Sequence, residues 1–62
     1  MTLEEVAGAI ANELLAQGVT PAMFVRDRSK YMDLIQAELD SYPEVQTELD
    51  KYAVIGIIVS NL

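Results

Sequence analysis

The side chains in this chain that could do chemistry are mostly carboxylates. Ten aspartates and glutamates stand against four lysines and arginines, and histidine and cysteine are both absent. Without histidine the chain lacks the usual general base near neutral pH and the commonest metal ligand. Without cysteine it has no disulfide and no thiolate metal site. Carboxylates alone can act as general acid or base when a cleft tunes their pKa. No Gly-rich phosphate loop, metal spacing or nucleophile constellation accompanies them here. The expectation is a protein that is not an enzyme, with no catalytic, cofactor-binding or metal-ligating residues.

The charges are unevenly placed. Arg26, Arg28 and Lys30 are three of the four bases, and six of the ten acids lie between Asp33 and Asp50. The formal net charge of −6 opposes non-specific binding to nucleic acid or to an anionic membrane, which needs a basic footprint. An acidic surface of this kind suits a basic protein partner, although most charge runs are simply solvated faces.

The elements that position these groups are helical. Thr2 and Glu5 form a capping box, and Leu3, Val6, Ala7, Ile10 and Leu14 follow at helical spacing. Gly18 suits the position just past a helix end, so the first helix spans about 3–17. Thr20 and Pro21 make a good N-cap and first residue. Phe24, Val25, Arg28, Tyr31, Met32, Ile35 and Leu39 then share one arc, so the second helix spans about 21–40. Ser41 and Glu44 form a second potential capping box around Pro43, so the third helix spans about 43–60. Val45, Leu49, Tyr52, Ala53, Gly56 and Ser60 share one face of it.

The basic cluster 26–30 lies in the second of two helices joined by the Gly18–Pro21 turn. That order is also that of a helix-turn-helix DNA-binding regulator, with the second helix as reader. Its N-terminal positions, however, hold Ala22, Met23 and Val25 rather than base-reading side chains. DNA binding through Arg26, Arg28 and Lys30 stands as the alternative function.

The most apolar run is Tyr52–Val59. As a helix it is apolar on every side, which implies burial on every side. Its Tyr, Val and Ile content also suits a strand, which would need a partner strand from a second subunit. Two amphipathic helices cover only part of a helix that is apolar all round. The remainder, taken as Tyr52, Ile55, Ile57, Ile58 and Val59, is expected to form an interface. Arg28, on the apolar arc of the second helix, either snorkels to water or pairs with a carboxylate across that interface.

A 62-residue chain is one domain (1–62), and its small core leaves oligomerisation or very good helix packing to complete it. The expected fold is an all-α three-helix domain completed by homodimerisation through the third helix. The expected function is non-catalytic protein–protein interaction, as a small adaptor, inhibitor or assembly factor. The opening Met-Thr-Leu-Glu-Glu has no basic signal-peptide region, and the apolar run falls short of a membrane span. A cytoplasmic protein is expected.

Overall fold

The computed structural model describes all 62 residues, Met1–Leu62. It holds four helices and no strand: α1 (Leu3–Ala16), α2 (Pro21–Arg26), α3 (Arg28–Leu39) and α4 (Glu48–Asn61). The all-α class is as expected, and the strand alternative for Tyr52–Val59 falls away because that run lies wholly within α4.

The first helix forms for the reasons its sequence offers. Thr2 Oγ1 accepts from Glu5 N at 3.1 Å, and Glu5 Oε1 accepts from Thr2 N at 2.9 Å. At the far end Gly18 has φ 84°, a left-handed conformation that side chains resist. Val19 N then donates to Leu14 O and Gly18 N to Leu15 O, both at 3.0 Å. This is the paired closure of a Schellman end. It turns Val19 into the core.

The single helix expected over 21–40 is two helices. The break is at Asp27, with φ −116° and ψ 44°. No proline or glycine marks it. The bend brings the Phe24 and Tyr31 rings to 6.0 Å between centroids, stacked at 17°. Seven residues apart on a straight helix would be about 10.5 Å apart along the axis. Stacking of two buried aromatics across the corner compensates for the lost helical continuity.

The last helix begins at Glu48 rather than near Pro43. Ser41 does not cap it. Its hydroxyl donates back to Glu38 O at 2.7 Å, finishing α3 instead. Thr47 is the N-cap: Thr47 Oγ1 accepts from Asp50 N at 3.1 Å, and Asp50 Oδ2 accepts from Thr47 N at 3.2 Å. The loop between α3 and α4 lays Tyr42 and Val45 on the core. Thr47→Ala is expected to destabilise the domain by about 1 kcal/mol. Ser41→Ala should stay within about 0.5 kcal/mol. Urea melts of the two variants check this; equal losses would restore Ser41 as the cap.

The core closes within one chain. Thirteen buried residues, all hydrophobic, form one cluster. α1 supplies Val6, Ala7, Ile10, Ala11 and Leu14, α3 supplies Tyr31, Ile35 and Leu39, and α4 supplies Val54, Ile55 and Ile58. α1 and α4 form the main packed pair. The small Ala7 and Ala11, one turn apart on α1, are both buried. Met1 N lies 3.1 Å from Glu44 Oε2, tying the start of α1 to the α3–α4 loop. No helix is long and apolar enough to cross a membrane.

Candidate functional site

α4 faces the core with Val54, Ile55 and Ile58. Its orientation is the reverse of the amphipathic face expected from Val45, Leu49, Tyr52, Ala53, Gly56 and Ser60. Beyond Tyr52 that face holds only Ala53, Gly56 and Ser60, and over this stretch burying two isoleucines and a valine removes more apolar surface from water. The helix therefore turns its larger aliphatics inward, and the other side becomes an outward strip.

That strip is apolar and free of charge. Leu49 is 80% exposed, Tyr52 66% and Val59 40%. Ala53, Gly56 and Ser60 are exposed between and beside them. Nothing lies within 4 Å of where a Cβ on Gly56 would stand, so another surface can come close to the helix backbone there. Ser60 Oγ donates to Gly56 O at 2.9 Å, which satisfies its hydroxyl proton within the helix. The nearby charges lie at the start of α4, where Lys51 Nζ is 3.7 Å from Asp40 and 3.6 Å from Glu48. From Tyr52 to Leu62 there is no charged side chain.

The residues expected at the interface separate accordingly. Tyr52 and Val59 stand in the strip. Ile57 is half-buried. Ile55 and Ile58 are corrected to core residues: they pack inside the chain and leave no surface for a partner. Arg28 is exposed as the first residue of α3. The bend at Asp27 moves it from mid-helix to a helix end, so its side chain has no apolar face to cross. Leu49 belongs to the strip together with Tyr52, Ala53, Gly56 and Ser60, the residues with which its spacing placed it on one face.

Two other places carry polar groups beside apolar surface. A groove of about 320 Å³ opens between the C-terminal halves of α1 and α3, lined by Leu14, Leu34, Ile35 and Ala37 together with Gln17, Glu38 and Ser41. Burial raises the Glu38 carboxyl above the usual carboxylate range, and the neighbouring Glu13 carboxyl of α1 raises it further. The second place is the α2–α3 corner, where Arg26, Arg28 and Lys30 are all exposed. None of them takes part in the three ion pairs of the structure, which involve Met1 and Lys51. Lys30 Nζ lies 5.6 Å from the Tyr31 ring centroid. No three acidic side chains gather as a metal-holding group.

The class that the fold defines is a small all-α domain with an apolar outer strip on its last helix. Compared with protein-family models, curated proteins and solved structures, the chain matches none.

Proposed function

We propose that this domain is a non-catalytic protein–protein interaction module, an adaptor, inhibitor or assembly factor, that works through the outer strip of α4. The observation that carries the reading is the exposure of Leu49 and Tyr52 at 80% and 66% on a charge-free helix face. Contiguous exposed apolar surface of this kind is typical of interaction sites. A second copy of the chain is one suitable occupant, because a strip meeting itself across a two-fold axis is self-complementary. A basic partner is the other, drawn by the net charge of −6.

Salt separates the two occupants. Two copies of charge −6 repel, so salt should tighten a homodimer by screening that repulsion. Binding of a basic partner should weaken with salt. Light scattering across protein and salt concentrations is the measurement. A dimer is expected that strengthens with salt and is lost in the double variant Tyr52→Asp/Val59→Asp, with helicity unchanged. Gly56→Ala should stabilise the separate chain by about 0.5–1 kcal/mol and weaken any association that brings a backbone against Gly56. An outer-strip variant with unaltered association would overturn the role of α4.

The helix-turn-helix reading keeps one observation in its favour, the exposed and unpaired Arg26, Arg28 and Lys30. Against it, α2 has only six residues, about 9 Å of helix. A salt-sensitive shift of duplex DNA that Arg28→Glu abolishes would revive it.

A further inference from the structure

We infer that the groove between α1 and α3 is a docking site for a lysine side chain of a partner protein. The inference rests on the interaction-module reading but uses a different surface from the α4 strip.

A lysine is an alkyl stem ending in a strongly hydrated cation. The groove offers a counterpart to each part. Leu14, Leu34 and Ile35 provide an apolar lining for the stem, and Glu38 of the same lining provides a carboxyl for the ammonium. The volume of about 320 Å³ lies at the small end of ligand-pocket sizes, suited to one side chain. Leu34 is 46% exposed, so apolar surface continues past the groove for the residues flanking the lysine.

Glu38 has no cation of its own. Lys51 is engaged with Asp40 and Glu48. Lys30, the nearest base on α3, is eight residues from Glu38, about 12 Å along the helix. Arg26 and Arg28 are farther still. Burial, with the nearby Glu13 carboxyl of α1, raises the Glu38 carboxyl above its usual range. An arriving ammonium would give the Glu38 carboxylate a charge-assisted hydrogen bond.

The probe is Nα-acetyl-lysine N-methylamide, titrated into the ¹⁵N-labelled domain and followed by amide shifts. Saturable shifts are expected at Leu14, Gln17, Leu34, Glu38 and Ser41. The norleucine counterpart, which lacks only the ammonium, should bind about tenfold more weakly or worse. Glu38→Gln should produce a similar loss, while Glu4→Gln, which removes the same charge elsewhere on the surface, should leave affinity unchanged. The norleucine comparison, which needs no variant, decides should Glu38→Gln disturb the fold. Equal binding of the norleucine derivative, or equal losses in the Glu4 and Glu38 variants, would overturn the assignment. Free n-pentylamine binding as tightly as the lysine derivative would also overturn it, in favour of a small-amine site. Failure here with the α4 dimer intact leaves the proposed function standing.

Discussion

Ile58→Asp is expected to unfold the domain. Ile58 is fully buried between α4 and the rest of the core, where nothing could pair with a carboxylate. An isolated charge cannot stay ionised there without a large penalty. At about 0.05–0.15 kcal/mol per residue, a chain of this size has roughly 3–9 kcal/mol of stability. Even the milder Ile58→Ala should remove about 2–5 kcal/mol of it. Far-UV circular dichroism and urea melts are the measurements. At concentrations where the parent is monomeric, Val59→Asp, one residue further round the helix, is the control and should change stability by no more than about 0.5 kcal/mol. An Ile58→Asp protein with native helicity and midpoint would mean that α4 turns its other face to the core.

Phe24→Ala should remove about 3–5 kcal/mol. Phe24 is the one buried residue of α2, and its ring stacks on Tyr31 across the Asp27 corner. A six-residue helix has no independent stability in water. Without Phe24, α2 should detach from α3. Hydrogen exchange should then show lost protection over 21–31 before the amides of α1 and α4 exchange. A variant within about 0.5 kcal/mol of the parent would show that the aromatic stack does not hold the corner.

These two residues also show where the sequence was legible. Phe24 and Tyr31 were readable as apolar positions of one helical arc, yet nothing in their spacing announced the bend between them. Propensity and capping are local. The stack that compensates for the bend exists only once the two rings meet. Ile58 was readable as apolar and placed at an interface, but its partners lie on α1 and α3, far away in the chain. Thr47 and Asp50 had the spacing of a capping box all along. Ser41, Pro43 and Glu44 offered a competing one, and the core decided between them by placing Tyr42 and Val45 in a loop.

The candidate surfaces followed the same division. Tyr52 and Val59 were named together with Ile55, Ile57 and Ile58 from composition alone, because any arrangement of so apolar a run leaves some of it outside. Which side stays outside depends on side-chain volume against α1. The groove beside Glu38 could not be anticipated at all, since its lining comes from α1 and from α3 with Ser41 after it, and these come together only through packing.

By itself the sequence determined the helical class and the ends of α1, together with the start of α2, because capping residues and 3.6-residue periodicity act within a turn or two. Tertiary structure alone decided the break at Asp27, the start of α4, and the face that α4 shows to solvent. Each of those is a choice among locally similar options. The one that buries the most aliphatic surface prevails, and burial is a property of the whole chain.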